Sequence, residues 1–351
     1  MKQLKGKELK DKSLEEWFKK RQQSDFRDLK TDYVARYNAL EGFLKSDVHP
    51  IVALGPAIRD GIFLNDHGPA HVATVINRAS SLISTDTCRL SAYEAYILLA
   101  AIQLHDIGNI LGRKGHEARI NELEGRVDAL LGDDSAERRI VKEIAQAHGG
   151  AHNGDADTIQ HLVDGPVLNQ NVRTRFLAGL LRFADELADD SQRISAFAIQ
   201  NDAIPESSKL FHKYSASLQS VMVDAEGKSI RLHYEMNRAD ADEEFTKGDS
   251  KHYLIDEILS RTVKMHRERT YCARFLQPMI LIDSINVKID VFKSKGSPDK
   301  LFSIGYRLED TGYPSAPKGG IYELCPELRD WRDGKPLNGT TLLSKIAGTQ
   351  Q

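Results

Sequence analysis

Apolar residues recur at helical spacing through the first two hundred residues of the chain. The most apolar stretch, from Tyr96 to Leu104, has apolar residues on every side. Such a stretch is typical of a helix buried in a core. His105 and Asp106 end it, and Gly108 follows as a candidate left-handed cap. The pattern therefore predicts a buried helix with a histidine and an aspartate at its end.

The segments before this helix carry recognisable start signals. Ser91, with Glu94 three residues later, predicts a capping box ahead of the buried helix. Another helix is predicted to start at Pro69, because proline suits the first turn. His71 is in phase with the apolar stripe of that helix and should point inward, whereas His67 lies in the entry loop.

Three further helices are predicted after the buried one. His116 opens a helix whose apolar stripe extends to Leu130. A second helix starts near residue 136, and His148 falls on the line of its apolar residues. A third starts near residue 172 and places Asp185 in phase with its leucines. Both His148 and Asp185 should therefore face the core.

The two ends of the chain differ from this helical middle. Residues 1–45 predict amphipathic helices, in which Trp17 and Phe18 either pack on the body or dock a partner. From about residue 212 the pattern predicts a β-hairpin at 220–236, a helix at 249–275, strands at 285–292 and 301–308, and a short terminal helix. The predicted fold class is mainly α, with a smaller C-terminal α+β domain.

Composition excludes several classes of protein. The chain has 351 residues and a net charge of −3, so no basic excess indicates nucleic-acid binding. Neither a signal peptide nor a membrane-spanning run is found. The three cysteines are widely spaced and suit reduced thiols. We expect a cytoplasmic protein without a membrane partner.

The polar residues on core-facing positions need a chemical explanation. Unpaired carboxylates at Asp106 and Asp185 would each cost several kcal/mol in an apolar bundle. Arg182 is one candidate partner for Asp185. A divalent cation explains the whole set better, because carboxylates and neutral imidazoles are its ligands. The inward-facing residues are His71, His105, Asp106, His148 and Asp185, and His116 at a helix start is a sixth candidate.

The order of these residues resembles the HD superfamily of metal-dependent phosphohydrolases. The resemblance covers roughly residues 60–190 and rests on His71, on the doublet His105-Asp106 and on Asp185. It implies an HD-type helical bundle. The motif Asp-His-Gly-Pro-Ala-His is most similar to that of a bacterial branch of the superfamily, which is linked to predicted defence systems. The domains predicted in this way are 1–50 (helical segment), 51–210 (HD-type), 211–310 (α+β) and 311–351 (tail).

The dinuclear members of the superfamily add two histidines, which His116 and His148 match. The resemblance then implies two divalent ions (Mn, Fe, Mg, Ni or Zn) bridged by Asp106. His71, His105 and Asp185 would hold one ion, and His116 and His148 the other. Enzymes of the superfamily that cleave cyclic di-GMP carry adjacent histidines and a nearby Gly-Tyr-Pro motif. Here Gly149 follows His148 and the motif occurs far downstream, at 312–314, so cyclic di-GMP is not the expected substrate.

The expected function is hydrolysis of a nucleotide or related phosphate ester by a metal-activated water. Predicted catalytic residues are His67, Lys114 and His152, and Arg113 and Arg119 would bind substrate phosphate. Two alternatives stay open: an HD-type di-iron oxygenase, and a nucleotide-sensing module without turnover. Beyond the substrate, the expected partner is a second copy of the chain or a protein of a defence system.

Overall fold

The computed structural model describes residues 3–9, 12–26, 29–64, 67–123, 125–151, 154–189, 204–247, 250–310 and 319–347. These residues are mainly helical, with a smaller α+β part, which confirms the predicted fold class. Contacts divide the chain into two units, Met1–Ala188 with Cys272–Leu281, and Asp189–Tyr271 with Ile282–Gln351. The four-part division into domains stays a prediction.

The first unit is a bundle of helices with two small hairpins. Its helices are α1 (Leu14–Phe18), α2 (Tyr33–Phe43), α3 (Leu54–Asp60), α4 (Pro69–Leu82), α5 (Ala92–Leu104), α6 (His116–Arg119), α7 (Arg126–Leu131), α8 (Ser135–Gln146) and α9 (Thr174–Glu186). Its antiparallel strand pairs are β1 (Gln3–Lys5) with β2 (Arg89–Ser91), and β3 (Gly165–Val167) with β4 (Gln170–Val172).

Helix α5 lies at the centre of this unit, and every one of its residues is buried. The predicted capping box is present, because the Ser91 side chain accepts from the Glu94 backbone N–H while the Glu94 side chain accepts from the Ser91 N–H. Helices α2, α4, α8 and α9 pack around it. This packing explains why the segment needs no polar face.

Gly108 is not the left-handed cap that the sequence predicts. It lies inside a 3₁₀ turn, Ile107–Leu111, without a positive φ. A Cβ at this position would lie 1.9 Å from the backbone oxygen of His116. The glycine is therefore required by the close approach of two backbone segments, and this approach brings His116 beside the doublet.

For this unit, one open alternative is decided and one further expectation is wrong. Trp17 and Phe18 are fully buried, so they pack in the core and are not available to dock a partner. The helix predicted from His116 to Leu130 is broken, with a 3₁₀ turn at Ile120–Glu122 and a new helix from Arg126. Gly125, with φ 85°, allows the chain to turn between the two pieces.

In the second unit the predicted hairpin is confirmed as β5 (Leu218–Asp224) and β6 (Ser229–Asn237), and the later strands as β9 (Ser284–Phe292) and β10 (Lys300–Glu309). These four strands form one sheet of order β10-β9-β6-β5. A second hairpin, β7 (Glu244–Lys247) with β8 (Ser250–Tyr253), was not expected from the sequence. The helices that start in this unit are α10 (Glu206–Ser217), α11 (Arg238–Asp242), α12 (Leu254–Leu276), α13 (Ile321–Leu324), α14 (Pro326–Arg329) and α15 (Gly339–Ala347).

Strands β6 and β9 pair in parallel, with Leu232 opposite Val287. Parallel neighbours need a crossover between them, and the chain from β6 to β9 contains helix α12. Inward residues of the sheet such as Ile230, Ile285 and Leu308 are fully buried. The predicted pattern of hairpin, helix and strands is therefore confirmed for this unit.

Among the described residues, no single helix is long and apolar enough to cross a membrane. A bent pair, Ala92–Leu111 with His116–Glu122, meets that test by length and composition. Its first part contains α5, which is wholly buried in the bundle. The three cysteines are free, buried thiols, in agreement with their spacing.

Candidate metal centre

The six predicted ligands lie at or near the ends of five helices of the first unit, and their side chains meet in one cluster. His71 lies in the first turn of α4, His105 caps α5, and Asp106 follows it. His116 begins α6, His148 comes two residues after the end of α8, and Asp185 lies in the last turn of α9. Five of the six are buried, and the side chain of Asp185 is 25% exposed. The cluster therefore opens to solvent beside Asp185.

One half of the cluster consists of two histidines and Asp185. The Nε2 atom of His71 lies 3.1 Å from Asp185 Oδ1 and 3.2 Å from His105 Nε2. Asp106 Oδ2 also lies close to both imidazoles, 3.4 Å from His71 Nε2 and 3.2 Å from His105 Nε2. Four donor atoms thus converge on one small volume.

The other half consists of two different histidines on the second oxygen of Asp106. The Nε2 atom of His116 lies 3.2 Å from Asp106 Oδ1, and that of His148 lies 3.9 Å from it. The two Nε2 atoms are 3.3 Å apart. Asp106 therefore has one carboxylate oxygen in each half, which is the arrangement of a bridging ligand.

Backbone hydrogen bonds fix the orientation of three imidazoles. Nδ1–H of His105 donates to the Ile102 carbonyl at 2.7 Å, and that of His148 donates to the Ala145 carbonyl at 2.6 Å. His116 donates in the same way to the Arg113 carbonyl at 3.2 Å. A proton on Nδ1 leaves the Nε2 lone pair available, as a metal ligand requires.

The electrostatics of the cluster favour a cation between the carboxylates. Burial disfavours a charged His105, but Asp106 and Asp185 outweigh burial and raise the pKa of His105 to about 10. Burial also opposes ionisation of Asp106, yet the neighbouring histidines hold its pKa well below the usual range. Burial and the charges of His105 and His116 lower the pKa of His148 to about 4. Positive charge is thus favoured beside Asp106 and Asp185 and disfavoured on His148.

The donor set fits divalent ions. Two atoms bound at about 2.1 Å to a tetrahedral ion lie about 3.4 Å apart, and most spacings within each half are close to this. Imidazole nitrogens and carboxylate oxygens are ligands for Fe, Mn, Ni and Zn. Arg182, the alternative partner for Asp185, donates from Nη1 to Thr158 Oγ1 at 3.0 Å. Two groups could therefore each hold a metal ion: His71 with His105 and Asp185, and Asp106 with His116 and His148.

The other predicted site residues lie at different distances from this centre. His67 Nε2 is 4.0 Å from Asp106 Oδ2, and Arg113 Nη1 is 4.0 Å from Asp106 Oδ1. Lys114 is exposed, beside an open groove along α8. Arg119 donates to the Leu111 carbonyl. His152 lies outside the described residues.

The sequence pattern does not indicate the roles of two residues that lie beside the ligands. Asn109 is fully buried, and its Nδ2 donates to Asp106 Oδ1 at 2.9 Å while its Oδ1 accepts from Arg113 Nη1 at 3.2 Å. Glu117 has Oε2 3.3 Å from His116 Nδ1. The only signal in the sequence was proximity, because each lies within three residues of a predicted ligand.

The close approach at Gly108 gives a first testable prediction. Replacing Gly108 by alanine would push its Cβ against the His116 backbone, so we expect a displaced His116 and a loss of one bound ion per chain. Metal content by elemental analysis measures this loss. Gly42→Ala is the control, because no atom lies within 4 Å of that Cβ position. Equal metal content in Gly108→Ala and the unmodified protein would contradict the prediction.

Comparison with known proteins places the chain in a family. A family model described as HD-CE matches residues 62–264, which is more than half of the chain. The chain belongs to the HD-CE family. All six ligands of this HD-CE chain lie inside the matched range, in agreement with the HD-type domain that the sequence predicts. Neither a curated protein nor a solved structure was found to match the chain.

Proposed function

We propose that this HD-CE protein is a metal-dependent phosphohydrolase or phosphodiesterase acting on a nucleotide or related phosphate ester. The observation that carries the proposal is the position of Asp106, whose two oxygens face two separate donor sets. His71, His105 and Asp185 would hold one ion, and His116 and His148 the other. Two bound divalent ions supply a water of lowered pKa and a clamp for phosphate oxygens.

Several protein groups around the centre suit phosphate chemistry. Arg113 is 40% exposed and places Nη1 beside both Asp106 and His116, so its guanidinium can bind a phosphate oxygen next to the metal centre. Asn109 holds Arg113 and Asp106 together through its amide. Arg113 would thereby offset negative charge that develops on the phosphate.

His67 is the best placed candidate for proton transfer to the leaving group. Its side chain is 9% exposed, and its Nε2 lies 4.0 Å from the bridging carboxylate on the side of the first half. A protonated imidazole can donate a proton to a leaving oxygen. Lys114 and His152 remain proposed catalytic residues, and Arg119 a proposed phosphate ligand, because of their positions in the sequence near the ligands.

A substrate panel tests the proposal. The full chain, analysed for metal as purified, would be incubated with nucleoside mono-, di- and triphosphates, cyclic nucleotides and bis(p-nitrophenyl) phosphate, each with Mn²⁺, Mg²⁺, Fe²⁺, Ni²⁺ or Zn²⁺. We expect release of phosphate or of a shortened nucleotide with at least one ion. A protein that binds ions yet cleaves none of these esters would contradict the proposal.

The four imidazoles of the centre also suit iron, so a di-iron oxygenase is the second candidate. Iron in the purified protein with oxygen consumption and a mixed-valent spectroscopic signal would support it. Tight nucleotide binding without turnover would instead support a sensing module that docks a protein of a defence system or a second copy of the chain. The buried free thiols agree with the proposed cytoplasmic location.

A further inference from the structure

The two halves of the metal centre differ in their negative charge. The first half combines His71 and His105 with two carboxylates, Asp185 and one oxygen of Asp106. The second half has His116 and His148 with only the other oxygen of Asp106. With the same ion in both halves, the second half should bind more weakly, since fewer anionic ligands offset its charge.

A further carboxylate lies behind one ligand of the weaker half. Glu117 Oε2 is 3.3 Å from Nδ1 of His116, the ring nitrogen that faces away from the cluster. The same N–H faces the Arg113 carbonyl at 3.2 Å, so two acceptors share it. His105 and His148 have a backbone carbonyl as the acceptor for Nδ1. A carboxylate at this position raises the basicity of the opposite nitrogen and fixes the ring.

The backbone that follows His148, the other histidine of the second half, leaves space for the Glu117 carboxylate. A Cβ at Gly149 would lie 3.1 Å from Glu117 Oε1, and one at Gly150 would lie 3.0 Å from its Cδ. Both glycines directly follow His148 in the chain. The Glu117 side chain is 18% exposed, so it is held between the two ligand-bearing segments.

We propose that Glu117 is a positioning residue that sets the affinity of the second half for its divalent ion. This inference rests on the two-ion centre of the proposed function. Glu117 acts through His116, by holding the imidazole and adding negative charge behind it. It thereby compensates for the single carboxylate of the second half, and the first half does not depend on it.

Titration of the metal-free full chain with Mn²⁺ alone tests the proposal. Isothermal titration calorimetry gives the two affinities, and electron paramagnetic resonance distinguishes a spin-coupled manganese pair from a single ion. In Glu117→Gln we expect about tenfold weaker binding of one ion, the low end of the usual effect for a group behind a metal ligand. The other affinity should stay unchanged, and the signal of the pair should appear only at higher Mn²⁺.

Glu143→Gln is the matched control. Glu143 lies on α8 and lines the same open groove as Glu117. It is 41% exposed and pairs with Arg139 at 3.8 Å, so the titration of this variant should match that of the unmodified protein. Gly149→Ala is a second variant that keeps Glu117 but crowds its carboxylate, and it should weaken the same ion. Circular dichroism checks that each variant is folded.

The outcomes separate this inference from the proposed function. Unchanged affinities in both Glu117→Gln and Gly149→Ala, or an equal loss at both ions, overturn the role of Glu117. Two ions in the unmodified protein without hydrolysis of any ester overturn the phosphohydrolase and leave the role of Glu117 standing. An unmodified protein that binds fewer than two ions overturns the two-ion centre and, with it, the role of Glu117.

Discussion

Replacing Asp106 by asparagine should remove both metal ions and abolish hydrolysis. Asp106 has one oxygen 3.2 Å from His105 Nε2 and the other 3.2 Å from His116 Nε2. Asparagine keeps the shape of the side chain but loses its charge, and it would present an N–H₂ group to one of the two groups of histidines. We expect metal content to fall below one ion per chain and the rate of ester hydrolysis to fall by about 10³-fold or more, the scale seen when a group that acts as part of a unit is removed.

The control for this variant is Asp155→Asn. Asp155 belongs to the same unit and is 57% exposed, with Oδ2 3.3 Å from His161 Nε2. Its Oδ1 accepts from the Asp157 backbone N–H at 2.9 Å, a hydrogen bond that asparagine can keep. Metal content and hydrolysis should be unchanged in this control. Substantial hydrolysis by Asp106→Asn, with two ions still bound, would show that the centre does not need Asp106 as a bridging carboxylate.

The ligand set could be predicted because its members are polar residues in apolar helical phase. His71 and Asp185 are in phase with the buried residues of α4 and α9, so helical spacing alone predicts that both side chains face the core. The end of α5 places His105 and Asp106 at the same point. Because burying an unpaired charge has a high free-energy cost, the buried carboxylates are expected to be paired or to bind a metal.

The remaining contacts of the centre could not be predicted, because they depend on tertiary approach. The roles of Asn109 and Glu117 depend on where Arg113 and the Gly149 backbone lie in space. The need for glycine at position 108 arises from the His116 carbonyl, eight residues away. Helical spacing describes a face of one element and says nothing about which backbone from another element will reach it.

The short hairpins illustrate a second limit. Strands β1 and β2 have three residues each and lie more than eighty residues apart in the chain, so neither shows the alternation that a longer strand would. Their pairing joins the N-terminal segment to the start of α5. The N-terminal segment is therefore part of the unit that carries the candidate metal centre, as the burial of Trp17 and Phe18 also shows.

A buried carboxylate makes a second connection between this segment and the helices of the metal centre. Glu137 on α8 is fully buried and accepts hydrogen bonds from Tyr33 at 2.8 Å and from Tyr93 at 2.7 Å. Its other oxygen accepts from Arg36 Nη1 at 2.6 Å. Burial and the charge of Glu137 raise the pKa of both tyrosines above their ordinary value, so the hydroxyls remain donors. The network ties α2, α5 and α8 together.

Glu137→Ala should therefore lower the free energy of unfolding by about 3 kcal/mol or more, since it leaves a partly buried Arg36 and two buried hydroxyls without their acceptor. Denaturant unfolding followed by circular dichroism measures the loss. Tyr93→Phe removes one hydrogen bond and should cost about 1 kcal/mol. Glu143→Ala, at a partly exposed position of α8, should change the free energy of unfolding by no more than about 0.5 kcal/mol. A loss below about 1 kcal/mol in Glu137→Ala would show that the network contributes little, and that apolar packing alone holds the N-terminal segment on the bundle.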